Sequence, residues 1–583
     1  MTPGLAGFIA SSSTTATSST VDSTPRGETA RVAADGSATE PMWDDVVAAV
    51  TAALGQAFIV VPDRTAPRAP ERRTWFDTFD WRLFKAGLLL EYVPGRRGSE
   101  LRLTSVAGQP DDPQRGPEVL AQSVSGWQPS RPHPVRDIPP GTIADRVGKL
   151  IAPRALLPVA TATESATVSR LLNEDAKTIA RLVIERPVLA AGAASREGGR
   201  RPVAPRFTIQ PVRGYPGQAR RAATLVEETE GVTPASGTVL EDVLAALGRE
   251  PGDYSNKVDA PISAVMPASQ AVALILLRLL DIVEANTSGV LRDIDTEFLH
   301  DFRVAVRRSR AALKLFGDAL ADARPRGLST PEIEWAATEF KWLGDLTTPT
   351  RDLDVHLLGF DDTAAGLRAA KPDDLEPFRS YLQERRAREL RALSRGLRSP
   401  RFRDLTRQWR AALTPLSEKS GRGRAAAIRS GEISAATLAA ERTRRAFVKV
   451  AKRGGVITPH SPHESLHDLR KRCKELRYAL EFFAPLQDPA TLAAVVGDLK
   501  KLQDCLGEFQ DTEVQIAEIR SLATAMQGTG EAPAVTLLAM GETTAGLAAT
   551  QAAARAAFER RFAAFAGMDG QRRMSALLRG GSL

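Results

Sequence analysis

Cysteine is nearly missing from this chain: Cys473 and Cys505 are the only two in 583 residues. That excludes a disulfide framework and a zinc ribbon, and it fits a reducing compartment. Aromatic residues make up only 5%, which argues against modules that stack bases on aromatic rings. Long apolar runs are missing too. The greasiest stretch, 271–277, is cut by Arg278, far short of the roughly 20 apolar residues that a membrane span requires. The N-terminus lacks the basic start of a secretory signal, and its apolar patch at 4–10 is too short for one. These absences lead us to expect a soluble, cytoplasmic chain without membrane association. There is no GxxxxGK[ST] loop, no GxSxG elbow and no GxGxxG after a strand. An NTPase, a serine hydrolase and a Rossmann enzyme therefore have no support, and no cofactor is indicated.

What is present is ordinary in amount and uneven in arrangement. Hydrophobic residues make up 43% and charged residues 25%, enough to bury a core. Lys and Arg number 78 against 70 acids, a net charge of +8, so the placement of charge matters more than its sum. Residues 1–42 are rich in Ser, Thr, Ala and Gly without periodicity and read as a disordered tail. From 43 to 258, short apolar runs alternate with Pro/Gly turns. Strands are expected near 57–61, 87–92, 100–104, 155–160, 179–185 and 206–212, with helices near 43–54, 216–230 and 238–248. This is an α+β domain with a mostly antiparallel sheet.

From 266 to 566 strand signals vanish, and Ala, Leu, Arg and Glu recur at helical spacing. An all-α bundle is expected, with helices separated by prolines that include Pro325, Pro349 and Pro489; residues 567–583 read as a tail. The bundle sequence repeats itself, about 269–415 against 430–566. HDFRVAVRRSRAALKLF from His300 matches HDLRKRCKELRYALEFF from His467. Arg303, Arg307 and Arg310 answer Arg470, Lys474 and Arg477, whereas Lys314 meets Glu481. Downstream, FKWLGDLTTPTRDLDV from Phe340 aligns without gaps on LKKLQDCLGEFQDTEV from Leu499. Lys341 answers Lys500, Asp352 answers Asp511, and Arg351 meets Gln510.

At about 100° per residue, offsets of 0, 3, 7, 10 and 14 span an arc of roughly 80°. His300, Arg303, Arg307, Arg310 and Lys314 thus share one helix face. Phe302, Val306, Leu313 and Phe316, and in the second copy Leu469, Leu476, Leu480 and Phe483, lie opposite and can pack inward. Like charges on one helix face repel by a few tenths of a kcal/mol per pair. A polyanion would offset that repulsion and release its own counterions. Arg presents a fork matched to phosphate oxygens, and Lys a point charge. The competing reading is a merely solvated face, and a duplex nucleic acid would also favour a basic groove. His460, His463 and His467 have metal-like spacing, but Pro462 interrupts the helix and no acid or thiol completes a site.

These residues resemble the CHAD domain family, the conserved-histidine α-helical domains, over about 269–566. The likeness rests on the two His-Asp helices together with RDLDV at 351–355 and SPRF at 399–402. The resemblance implies binding of inorganic polyphosphate by a basic pore between two four-helix halves, and association with polyphosphate granules. Carried over residue by residue, it implies His300, Arg303, Arg307, Arg310, Lys314, Lys341 and Arg351 in the first half. In the second half it implies His467, Arg470, Lys474, Arg477 and Lys500. Glu481 and Gln510 depart from a wholly basic lining.

The preceding region is similar to the CYTH, or triphosphate tunnel, family through TWFDTFDWRLFKAGLLLEY at 74–92, LLNEDAKTIARLVIE at 171–185 and GREPGDYSNK at 248–257. That family's N-terminal Glu-x-Glu-x-Lys strand is replaced here by GQAFIVV. Thr208 and Gln210 stand where metal-binding acids belong, and Glu91 stands where a base belongs. Metal-assisted hydrolysis needs clustered carboxylates, and none is expected here. The sequence therefore leads us to expect a degenerate, non-catalytic CYTH-like domain joined to a polyphosphate-binding one. The alternative is a metal-dependent triphosphatase acting through the first domain.

Overall fold

The computed structural model describes residues 28–32, 40–64, 70–95, 98–106, 119–189, 201–235, 237–323, 327–418 and 432–580. The chain divides into two compact units, 1–255 and 256–583.

The first unit is built on β1 (Glu28–Val32), β2 (Ile59–Pro62), β3 (Glu71–Asp77), β4 (Leu88–Val93), β5 (Ser99–Ser105) and β6 (Val119–Val124). It continues with β7 (Leu157–Leu172), β8 (Thr178–Leu189), β9 (Arg201–Pro202), β10 (Arg206–Pro211) and β11 (Val232–Pro234). The sheet order is β11-β1-β10-β8-β7-β3-β4-β5-β6, with β2 on β7 and β9 on β8. Every pairing is antiparallel. Helices α1 (Glu40–Gly55), α2 (Arg82–Lys85), α3 (Thr142–Ile151), α4 (Pro216–Glu227) and α5 (Val239–Ala246) cover it. Asp77 in the FDT stretch fixes one corner. Its carboxylate accepts N–H bonds from Thr78, Leu83 and Phe84, which ties the end of β3 to α2. Burial pushes that carboxyl up to about 6, against the pull of the three amides.

Two expectations for this unit need correction. The tail expected over 1–42 contains β1, which lies between β10 and β11; residues 1–27 and 33–39 lie outside the described residues. A five-residue strand whose partners are near 206 and 233 leaves no local periodic signal. Helix α3 was also not foreseen. Its buried stripe Ile143, Val147 and Ile151 is too short to stand out beside the prolines before it. The Gly/Arg-rich loop expected at 192–202 lies outside the described residues except for β9.

The second unit is helical: α6 (Ala268–Leu291), α7 (Thr296–Ala321), α8 (Thr330–Leu358), α9 (Phe360–Ala365), α10 (Glu376–Leu397) and α11 (Pro400–Ser417). Then follow α12 (Ala435–Gly454), α13 (His463–Phe482), α14 (Pro489–Thr529), α15 (Ala534–Ala566) and α16 (Met568–Gly580). The starts follow capping chemistry. Asp295 accepts the N–H groups of Glu297 and Phe298, Ser399 caps α11 through Phe402 N–H, and Asp488 caps α14 through Thr491. The apolar residues of both His-Asp helices are buried as their spacing requires: Phe302, Val306, Leu313 and Phe316, and Leu469, Leu476, Leu480 and Phe483. Gly289 lets α6 and α7 touch, since a Cβ there would sit 2.1 Å from the Phe298 ring.

Two helical boundaries also differ from expectation. Pro349 lies inside α8 rather than between two helices. A proline costs one backbone hydrogen bond and crowds the preceding turn. Here buried Leu343, Thr347, Thr350 and Leu353 on either side offset that cost by packing. The tail expected at 567–583 is helical over 568–580, with Met574 and Leu577 buried against α13 and α14 residues.

Candidate anion-binding cleft

The two basic helices, α7 and α13, lie against each other, and their contacts obey the internal repeat. Arg308 Nη2 meets Glu481 at 2.9 Å, and Lys314 Nζ meets Glu475 at 2.5 Å. In the repeat alignment 308 is equivalent to 475 and 314 to 481, so these two bridges are mates under a pseudo-two-fold axis. The first copy supplies both bases and the second both acids. Phe316 and Phe483, also equivalent, meet edge to face at 5.2 Å. Glu481 in the place of Lys314 is therefore one half of a helix–helix latch. Glu481 also lines the cleft described next, so it departs from a wholly basic lining while pairing the two helices.

Beside this contact opens a cleft of about 510 Å³, lined by α7, α13, α14 and Asn256. Its bases are Arg307 and Arg308 from one copy and Arg470, Lys474 and Arg477 from the other, with His300 at the wall. Its acids are Asp301, Glu481, Asp504, Glu508 and Asp511. The formal charges of the lining therefore balance, and pairing decides what is available to a ligand. Arg470 is held by Asp511 at 2.9 Å. Arg477 is held by Glu481 at 2.6 Å and donates to Gln503. Asp301 is buried and accepts from Asn256 at 2.8 Å. Arg307 and Lys474, equivalent positions in the repeat, face the cleft with no ion pair or hydrogen bond among the described residues.

Lys474 is half-buried, and its ammonium is pushed down to about 8. Burial is the main cause, and the charges of Arg470 and Arg307 add to it, with Asp511 opposing. The Lys474 charge is thus disfavoured chiefly by lost hydration, with two nearby guanidinium groups adding to the effect. An anion entering the cleft would relieve it.

The other residues nominated from sequence lie elsewhere. Arg303 points into α8, where Nη1 donates to Gly344 O, Thr347 Oγ1 and Thr348 Oγ1 at 3.3, 3.0 and 2.8 Å. Burial lowers its pKa. Arg310 is exposed, with its guanidinium against Gly344. Lys341 is exposed and paired with Asp345 at 2.8 Å. Arg351 donates to Thr296 O at 3.4 Å. His467 Nδ1 is 2.5 Å from Gln510 Oε1, and Lys500 is exposed on α14. Of the twelve nominated positions the cleft thus gathers His300, Arg307, Arg470, Lys474 and Arg477. It adds Arg308, which the stripe arithmetic omitted. The signal was available: 308 and 314 are basic where 475 and 481 are acidic. His463 pairs with Glu513 at 2.8 Å, and among the described residues no group of three His, Cys, Asp or Glu could hold a metal ion. Cys473 and Cys505 are buried thiols.

The first unit holds a second polar cluster. Strand registers set Ala166 opposite Glu185, Glu71 opposite Glu164 and Trp75 opposite Glu91. Glu164 is buried and meets Arg73 at 3.1 Å. Its carboxyl is pushed up to about 7, first by burial, with Glu185 and Glu91 adding to the effect and Arg73 opposing it. Glu91 accepts the Trp75 indole N–H at 2.7 Å. These carboxylates influence one another, but among the described residues they form no group that could hold a metal ion. They come from strands far apart in sequence, which a search along one strand does not detect.

Residues 274–520 match the family model of the CHAD domain. The chain is similar to the crystal structure of the CHAD domain from the plant Ricinus communis, at 26% identity and a TM-score of 0.43, covering 52% of this chain and 95% of that one. It is also similar to PptA from Streptomyces chartreusis, at 16% identity and a TM-score of 0.36, covering 51% and 99%. No curated protein matches the chain. No helix among the described residues is long and apolar enough to cross a membrane.

Proposed function

We propose, from the premise that the helical unit carries a CHAD domain, that this protein binds inorganic polyphosphate in the α7–α13 cleft without chemically altering it. The carrying observation is the pair Arg307 and Lys474. Two equivalent cations face one cavity with no partner among the described residues, and the charge of one is disfavoured, chiefly by burial. Arg308, Arg470 and Arg477 can reorient from their acids toward phosphate oxygens. Association with intracellular polyphosphate granules is the corresponding place in a cell, and nucleic acid is the competing polyanion. The test is direct binding of polyphosphates of defined length by fluorescence anisotropy. Affinity should rise with chain length and fall steeply with salt, and long polyphosphate should displace duplex DNA. Binding that is indifferent to length and salt would overturn the reading.

The alternative reading is a metal-dependent triphosphatase in the first unit, where Glu91 and Glu185 act on Glu164 but no group of carboxylates among the described residues could hold a metal ion. Its test is magnesium- or manganese-dependent phosphate release from tripolyphosphate, lost in Glu164→Gln.

A further inference from the structure

Lys474 differs from the other lysines around the cleft. Lys314 and Lys341 are exposed and ion-paired, and Lys500 is exposed on α14. Lys474 lines a cavity large enough for a small anion, and its amine has no partner among the described residues. The titratable and charged groups that line the cleft with it are Arg470, Arg477, Tyr478 and Glu481 on its own helix, His300, Asp301, Arg307 and Arg308 on α7, and Asp504, Glu508 and Asp511 on α14.

We propose that Lys474 is a self-acylating site for small acyl phosphates, drawn into the cleft by Arg307 and Arg470, and that its acylation switches the anion site off. The Nζ lone pair attacks the acyl carbon and forms the amide N–C bond. The C–O bond to phosphate breaks, phosphate leaves with that electron pair, and the amine proton passes to water. Arg307 and Arg470 line the same cleft as the amine and can hold the phosphate as it departs. The depressed lysine supports the chemistry, because the neutral amine is the nucleophile. Acylation deletes one of the two unpaired cations, so it lowers anion affinity. The switch-off rests on the cleft being the anion site proposed above, whereas the acylation itself requires only a small anionic donor.

The experiment treats the full-length protein with acetyl phosphate and follows each lysine by peptide mass spectrometry. At pH 7.5 Lys474 should acetylate at least about tenfold faster than Lys341 or Lys500, as its larger neutral fraction requires. Its rate should level off above pH of about 8. Tripolyphosphate should protect it, and Arg307→Ala should slow it toward the exposed lysines. Equal rates at Lys474 and Lys500, or no plateau, would overturn the proposal whether or not polyphosphate binds. Selective acetylation in a protein that fails to bind polyphosphate would instead leave this site standing and remove the polyphosphate reading. Full acetylation without loss of polyphosphate affinity would overturn the switch.

Discussion

Helices α7 and α13 carry nearly the same pattern of cations and use it differently. On α13, Arg470, Lys474 and Arg477 all reach the cleft; on α7, only Arg307 of the three equivalents does. Arg303 donates to Thr347 and Thr348 on α8. The equivalent Arg470 has Gly507 where α8 has Thr348, and turns to Asp511. Arg310 lies over Gly344, whereas the equivalent Arg477 finds the longer Gln503 and Glu481. The partner helix therefore decides which bases of a stripe bond within the bundle and which face the cleft. A cation's function cannot be read from its spacing alone.

Four tests can break or sharpen this contrast. Removing both unpaired cations, Arg307→Ala with Lys474→Ala, should reduce polyphosphate affinity by about 100-fold or more at low salt. The pair Arg310→Ala with Lys341→Ala should cost less than about threefold, because those charges lie outside the cleft. Titration of labelled polyphosphate measures both, and equal losses would erase the distinction.

Next, Glu481→Lys makes the second copy as basic as the first. A reading that counts bases predicts a better binder. The latch with Arg308 instead requires destabilisation of about 2 kcal/mol, since the substitution sets a like charge beside a half-buried guanidinium. Restoring a pair with Arg308→Glu should recover most of the thermal midpoint.

Arg303→Ala should lower stability by about 1–2 kcal/mol through its lost bonds to α8, with little change in affinity; urea denaturation of the variant reads this. The same change at Arg310 should leave the midpoint where it was.

The smallest effect is expected at Lys474→Met. The folded state holds this lysine at about 8, below its ordinary value near 10.5, so between those values the unfolded chain binds more protons. The penalty is present in full below pH of about 8 and fades as pH rises toward 10.5. The methionine variant should therefore be more stable at pH 7, by about 1 kcal/mol once solvent screening is allowed for. That gain should vanish near pH 10.5 while polyphosphate binding weakens at neutral pH. In the parent, affinity should fall as pH rises through about 8, which anisotropy at several pH values reads directly.

The two units also differ in how legible they were. Helical residues interact with neighbours three and four positions away, so the inward apolar seams of α7 and α13 and the repeat itself can be read along the chain. Pro349 was misread because a proline's local penalty is visible in sequence while the packing that offsets it is not. In the sheet, β4, β8 and β10 were legible from their apolar runs. The insertion of β1 and the meeting of Glu164 with Glu185 and Glu91 depend on pairings between distant segments.

Sequence alone determined that this chain is an α+β unit followed by a duplicated helical one, and that each duplicate bears a cationic helix with a buried opposite face. Helical periodicity and repetition are properties of one strand of text. Only the tertiary structure decided that Arg307 and Lys474 face one cleft with no partner among the described residues, that Arg303 donates to α8, and that Glu481 pairs with Arg308. A side chain's charge is written in its identity, but its partner is chosen by whichever helix packs beside it.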